Sequence, residues 1–287
     1  MEKINIQWFP GHMTKARRMI TENVKLTDAV CEIIDARIPY SSRNPDIDEL
    51  TLGKPRLIVI NRSDQADKSH TKKWRDEFNK AGFEVLETDS KSGKGTAGFS
   101  TAVRKLLSEK IHKNISKGQT GKKMRVMVVG IPNVGKSSFI NRVAKRKAAV
   151  TSDRPGVTRG KQWIVIDDGL ELLDTPGILW PRFEDQTVAE NLAFTGAIRD
   201  QIIDIETLAA NLMHKLSELY PNSLFERYKL DTKVIFGGYN LLEQAARNRG
   251  FLLQGAAADI TRMSNILLDE FRAGKLGQIT LERVEDL

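Results

Sequence analysis

Arg125-Val126-Met127-Val128-Val129-Gly130-Ile131-Pro132-Asn133-Val134-Gly135-Lys136-Ser137-Ser138 is the stretch from which the rest of the chain can be read. A β-favouring apolar run meets two glycines, then Lys and Ser, and residues 138–144 can continue as a helix. The glycines let the backbone turn so that N–H groups from Asn133 to Ser138 face phosphate oxygens. Lys136 can neutralise the charge of a β/γ phosphate pair, and the helix N-terminus adds its dipole. The Ser137 hydroxyl is a ligand for Mg²⁺.

Two further groups downstream suit a nucleoside triphosphate. Asp174-Thr175-Pro176-Gly177 follows the apolar run Leu170-Glu171-Leu172-Leu173 and lies 38 residues after Lys136. A carboxylate at a strand end can hold Mg²⁺, and Gly177 can turn a backbone N–H toward a γ-phosphate. Between them Thr158, in Asp153-Arg154-Pro155-Gly156-Val157-Thr158-Arg159, is placed to close over the metal and the γ-phosphate when its loop orders.

The base is read upstream. Asn61-Arg62-Ser63-Asp64 follows another apolar run. Guanine offers two adjacent donors, and one carboxylate accepts both; Asp64 is the candidate. Asn61 could support the O6/N7 edge and tie this loop to the phosphate loop. Arg62 stands where the usual guanine signature has Lys, and its planar guanidinium can stack on a base. Asp89 and Ser90, after the run 83–86, resemble the remaining base-contacting loop, with the N–H that meets O6 left open.

Six strand-like runs, 29–34, 57–60, 83–86, 125–129, 163–166 and 170–173, alternate with helix-like stretches such as 70–81 and 96–111. This predicts an α/β domain with a six-stranded, mostly parallel sheet of the Ras-like phosphate-loop type. The base loops precede the phosphate loop, the reverse of the Ras-like order, so the sheet is circularly permuted. The Lys-rich segment 108–123 is expected to be an exposed, flexible connection across the joint. Beyond about residue 181 helical spacing takes over, at 202–220, 241–249 and 256–273. The expected domains are 1–181, a permuted nucleotide-binding domain with a basic N-terminal arm, and 182–287, an all-helical domain. The switch at 174–177 leads directly into the second domain.

Bulk properties narrow the setting. The net charge is +8, but residues 185–287 carry 11 basic and 15 acidic side chains, so the remainder carries an excess of +12. Such a surface attracts a polyanion. The lone Cys31 sits in an apolar run and forms no internal disulfide, which fits a reducing compartment. No run approaches a membrane span, the first ten residues lack the apolar core of a secretory signal, and no lipid-anchor motif is evident.

The permuted order, with Trp8-Phe9-Pro10-Gly11-His12-Met13, Asp35-Ala36-Arg37-Ile38-Pro39, Asp174-Thr175-Pro176-Gly177-Ile178 and Gly274-Lys275-Leu276-Gly277, resembles the YlqF family of circularly permuted bacterial ribosome biogenesis GTPases. The resemblance covers most of the chain. It implies a cytoplasmic GTPase that binds GTP and GDP and assists late assembly of the large ribosomal subunit. Its partners would be that subunit and its RNA, with ribosomal proteins in reach and neither membrane nor DNA expected. The family's helical domain is regarded as RNA-binding; here that domain is net acidic. Ile178 stands where Ras-like enzymes have the water-orienting Gln. The resemblance points instead to His12, whose neutral imidazole suits orienting water. Asn133 is a candidate ligand for K⁺, or simply shapes the loop. Arg37 and Arg43 could serve RNA, a phosphate or loop structure. A GTP-sensing, RNA-binding scaffold with negligible hydrolysis is the alternative that Ile178 keeps open.

Overall fold

β1 (Ala29–Asp35), β2 (Arg56–Asn61), β3 (Glu84–Glu87), β4 (Met124–Val129), β5 (Trp163–Asp167) and β6 (Leu170–Asp174) form a sheet in the order β3-β2-β1-β4-β6-β5. All neighbours run parallel except β5, which is antiparallel to β6 at one edge. The computed structural model describes residues 6–8, 10–51, 53–145, 163–231 and 237–286. Every residue of β1 and β2 is buried, as central parallel strands covered on both faces must be. Cys31 lies in β1, fully buried, and burial pushes its thiol pKa up.

If β4, β5 and β6 are numbered first and β1, β2 and β3 after them, the order becomes 6-5-4-1-3-2. The sheet is thus the expected Ras-like one, with the chain entering it in mid-sequence. From β1 the chain moves outward to β2, and from β4 it moves outward the other way, to β6 and β5. The carboxyl ends of the neighbours β1 and β4 therefore flank the crevice in which open α/β sheets hold their ligands.

The helices of this part are α1 (Gly11–Asn23), α2 (Ile47–Leu50), α3 (Lys68–Lys80), α4 (Phe99–Leu106), α5 (Ser108–Ser116) and α6 (Lys136–Val143). Asp67 caps α3, accepting from the Ser69 and His70 N–H groups. The expected flexible connection at 108–123 is helical in its first half. Glu109 lies in its first turn, its lysines are good helix formers, and the chain leaves the helix just before Gly118, where φ is +75°.

The remaining helices are α7 (Gln186–Phe194), α8 (Ile205–Leu219), α9 (Pro221–Tyr228), α10 (Gly238–Asn248) and α11 (Ile260–Arg272). Asp204 caps α8, Asp259 caps α11, and Pro221 opens α9 at the position where a missing N–H costs nothing. In their interior Glu270 accepts from Arg227, Arg249 and the Tyr228 hydroxyl. Burial raises the Glu270 pKa, but these donors outweigh it and bring it down to about 2.

The chain divides into two compact units, and its ends do not respect a single cut after residue 181. One unit joins residues 6–8 to Arg182–Leu281; the other joins 10–181 to 282–286. In the first, the Ile6 N–H donates to Gln186 Oε1 at 2.8 Å and Gln7 Nε2 donates to the Phe183 carbonyl at 3.2 Å. In the second, Glu282 receives the N–H groups of Tyr40 and Ser41, while its own carbonyl accepts from Trp74 Nε1 at 3.0 Å. Among the described residues no helix is long and apolar enough to cross a membrane.

Candidate functional site

β4 ends at Val129, and the chain turns through Gly130 (φ +150°) to Gly135 (φ +98°) before α6 begins at Lys136. Both glycines are required by their neighbours. A Cβ on Gly130 would lie 2.5 Å from the Ile33 carbonyl oxygen, and one on Gly135 would lie 2.5 Å from Asn61 Nδ2. Val134 is buried, and Ser137 and Ser138 follow in the first turn of α6. The Lys136 side chain is buried, and its ammonium donates to the Gly130 and Ile131 carbonyls at 3.1 and 2.7 Å. Burial lowers its pKa to about 8, against the opposing pull of the Asp174 carboxylate.

Asp174 ends β6 and is 4% exposed. The next residue, Thr175, donates from its hydroxyl to the Val128 carbonyl at 2.6 Å, which binds this strand end to the root of the phosphate loop. Gly177 lies hard against that loop. A Cβ there would sit 2.7 Å from Pro132 Cα and 3.0 Å from Lys136 Nζ, so only glycine fits. The Ile178 N–H then donates to the Gly130 carbonyl at 3.2 Å. Lys136, Asp174 and Gly177 are therefore brought together. Thr158 lies outside the described residues.

The base loop is fastened to the same phosphate loop. Asn61 Nδ2 donates to the Val134 carbonyl at 2.9 Å, and Arg62 Nη2 donates to the Asn133 carbonyl at 2.8 Å. Asn61 Oδ1 accepts from the Ser90 N–H at 3.1 Å, the Ser90 hydroxyl at 2.7 Å and the Thr88 hydroxyl at 3.1 Å. One side chain thus holds three loops. Asp64, three residues further on, is exposed. Asp89 turns inward on its own loop and accepts from the Lys91 and Ser92 N–H groups at 2.8 and 3.2 Å. Burial raises its pKa, and these bonds more than reverse that. In this arrangement Asp89 and Ser90 build the loop, and their polar side chains are turned to protein partners.

Two motifs without a role in the sequence acquire one here. Arg37 and Asp35 form a buried pair, with Nε and Nη2 at 2.9 and 2.7 Å from the two carboxylate oxygens. Asp35 Oδ2 also lies 3.6 Å from Arg62 Nε. Burial raises the Asp35 pKa, but Arg37 and then Arg62 hold it below the usual carboxylate value. Arg62 and its partner Asn133 both adopt left-handed backbone, φ +60° and +58°. Such conformations cost about 1 kcal/mol or more at non-glycine positions and persist where surrounding bonds fix them. The stack Arg37–Asp35–Arg62–Asn133 supplies those bonds. Arg43 pairs away from both nucleotide loops: it faces buried Glu32 at 3.5 Å and lies 4.9 Å over the Phe83 ring. Asn44 receives the Asp46 N–H at 2.9 Å and donates to the Ile178 carbonyl at 3.4 Å.

His12 is the second residue of α1 and half-buried. Met13, Ala16 and Ile20 are buried on that helix. Ala16 and Ile20 share one apolar cluster with Val24, Val30, Met127, Val129, Leu173 and Ile178. Ile178 is fully buried, so the position of the usual Gln is given over to packing with α1. Arg17 of the same helix pairs with Asp46, which Asn44 links to Ile178.

Comparison with known proteins agrees with this geometry. Residues 125–223 match the family described as 50S ribosome-binding GTPase. A protein of Bacillus cereus named ribosome biogenesis GTPase A is 46% identical over 281 residues, 98% of this chain and 95% of its own length. The crystal structure of GNP-bound YlqF from Thermotoga maritima superposes with a TM-score of 0.67 at 29% identity, covering 95% of this chain and all of that one. A GDP-bound YlqF structure gives 0.65 at 28% identity over 94% of this chain and all of that one.

Two outcomes follow from the loop geometry. Asn61→Ala removes a buried amide that serves four hydrogen bonds, at about 1 kcal/mol each. GDP affinity measured by calorimetry should fall by about a hundredfold or more; a loss under threefold would show that the three loops hold without it. The Lys136 pKa fixes a pH dependence. Bound phosphates favour the ammonium, so its pKa in the complex lies above 8, and binding takes up a proton in the window between the two values. Nucleotide affinity should therefore decline as pH rises through about 8. Calorimetry at about pH 9, inside that window, in buffers of different ionisation enthalpy should register proton uptake, and none would contradict the assignment.

Proposed function

The chain belongs to the ribosome biogenesis GTPase A family, a GTP-hydrolysing enzyme of ribosome biogenesis, and from that premise we propose that it binds ribosomal RNA and promotes late maturation of the large ribosomal subunit, which stimulates its turnover. The observation that carries this reading is the match along 98% of the chain to a relative of that name. The basic excess of the first two thirds of the sequence supports an RNA partner, and cytoplasmic residence goes with it.

The nucleotide is GTP, with Asp64 reading guanine and Asn133, Val134, Gly135, Lys136, Ser137 and Ser138 lining its phosphates. Mg²⁺ fits the donors present, since the Ser137 hydroxyl and the buried Asp174 carboxylate are hard oxygen ligands beside Lys136. Thr158 is the third proposed ligand. Held there, the ion would supply positive charge against that of the triphosphate. Lys136 neutralises the same charge, and the Gly177 N–H is the donor for a γ-phosphate oxygen. An amide oxygen at Asn133 suits K⁺, and the left-handed backbone held by Arg62 fixes where that residue stands.

Hydrolysis needs a group to orient water, and Ile178 offers only hydrocarbon. We assign that role to His12. Its helix is packed in the same apolar cluster as Ile178, so the residue that gives up the Gln function helps to anchor the helix that bears the histidine. A neutral imidazole supplies one donor and one acceptor to a water molecule.

The test is GTP turnover with and without purified large ribosomal subunits. Wild type should be stimulated. His12→Ala should lose at least about a hundredfold of the stimulated rate, a typical share for a positioned acid–base group, with GTP affinity near wild type. Retention of the stimulated rate would eliminate His12, and absence of stimulation in wild type would remove the subunit from the proposal. Replacing K⁺ by Na⁺ should slow wild-type turnover several-fold; equal rates would leave Asn133 with a loop-shaping role only.

A further inference from the structure

α5 carries Lys110, Lys113, Asn114 and Lys117 at the spacing i, i+3, i+4, i+7, the last at its C-cap. Helices elsewhere use that spacing to press an apolar stripe against a core. Here the stripe is cationic, and no residue of α5 is buried. Past its end the chain turns back on itself. The Gln119 N–H donates to the Asn114 carbonyl and the Gly118 N–H to the Ile115 carbonyl, both at 2.9 Å. This return brings Lys122 into a concavity of about 510 Å³ lined by the same stripe.

The charges in that hollow are poorly compensated from within. Lys110 pairs with Asp28 at 2.5 Å, which pins the helix to the sheet. Among the described residues, Lys113, Lys117 and Lys122 have no carboxylate within ion-pair distance. Glu109, which also lines the hollow, is the only acidic residue in the whole segment 108–123, against four lysines in the same lining. Asn114 Nδ2 is covered and has no hydrogen-bond acceptor among the described residues. Like charges at these spacings destabilise a helix, so an external polyanion would relieve a repulsion already present. The stripe is about 10 Å long at roughly 1.5 Å per residue. Each strand of a duplex offers a phosphate roughly every 3 Å along its axis, so about three fall within that reach. A nine-residue helix with two isoleucines, one of them exposed, has too little apolar surface for a bilayer.

We propose that the lysine stripe of α5, closed by Lys122 and floored by Asn114, is a docking surface for the phosphate backbone of duplex RNA. It rests on the reading above that the partner is ribosomal RNA, and it locates part of that interface in the nucleotide-binding unit, at the joint of the permutation. The surface reads no bases, so its contribution should be independent of sequence and steep in salt.

The experiment uses the full chain with Lys113→Gln, Lys117→Gln and Lys122→Gln combined, a duplex RNA of about 20 base pairs, long enough to span the stripe several times over, and purified large subunits, each over a salt series. The triple variant should bind the duplex at least about tenfold more weakly at about 0.1 M salt, and the slope of log affinity against log salt should be shallower by about 2 to 3, near one for each phosphate that the variant leaves to its counterions. Subunit binding should weaken in parallel, while turnover without subunits stays at the wild-type value. A companion triple Lys→Arg variant should keep wild-type affinity, which separates removal of charge from altered folding. Equal affinity and slope for wild type and the Gln variant would overturn the proposal. If wild type binds the duplex and ignores subunits, the docking surface stands and the ribosomal reading falls; if it binds neither, both fall.

Discussion

Everything at the nucleotide edge depends on the side-chain amide of Asn61. It donates to the backbone of the phosphate loop and accepts from the loop after β3, while its own backbone ends β2. Gly135 lacks a Cβ because the amide nitrogen occupies that space. A buried amide with unmet donors or acceptors is expensive, so these loops close around it together or not at all. Such a fastening is indifferent to chain order. The loops after β2 and β3 and the loop after β4 are joined through space, which is why a permuted sequence can keep the Ras-like arrangement intact.

A second constraint acts at Ile178. Burying an isoleucine is worth roughly 1.5–3 kcal/mol, and here it knits the end of the switch segment to α1 through a shared apolar cluster. The same residue is hydrogen-bonded at both backbone positions, to Gly130 and to Asn44. The chain therefore uses as a structural rivet the position at which Ras-like enzymes keep a mobile polar group. The chemistry displaced from it must come from another part of the fold, and α1, packed against that rivet, begins with Gly11 and His12.

The strands and the phosphate loop were legible because their signals are local: an apolar run, a glycine pair, a Lys-Ser step. The motif at Asp35–Pro39 and the nearby Arg43 were visible in the sequence and silent as to purpose. Their partners lie far along the chain: Arg62 for Asp35, Ile178 for Asn44, Glu32 and Phe83 for Arg43. Spacing within one segment carries no information about such pairs. The role of Asp89 within its own loop was not legible either, since its carboxylate accepts from the Lys91 and Ser92 N–H groups and no spacing signals such a turn as distinct from a binding loop. Segment 108–123 looked irregular because few large apolar residues mark it, yet its first nine residues are helical, with Lys110 tied to Asp28 far away in sequence. The change to helical spacing beyond about residue 181 is a local signal in the sequence. The return of both chain ends is not, because each rests on a few polar bonds.

That return has a topological meaning. Arg182–Leu281 leaves the nucleotide-binding unit at one exit, Pro181, and returns at a second, Glu282, and residues 6–8 add a third crossing between residues 8 and 10, so the helical unit is tied by three backbone connections. Severing any one of them would leave two intact. The carboxylate that secures the second exit sits on the backbone of Tyr40 and Ser41, a few residues beyond the Asp35–Arg37 pair that steadies Arg62. The second exit is thus fastened beside the segment that steadies Arg62.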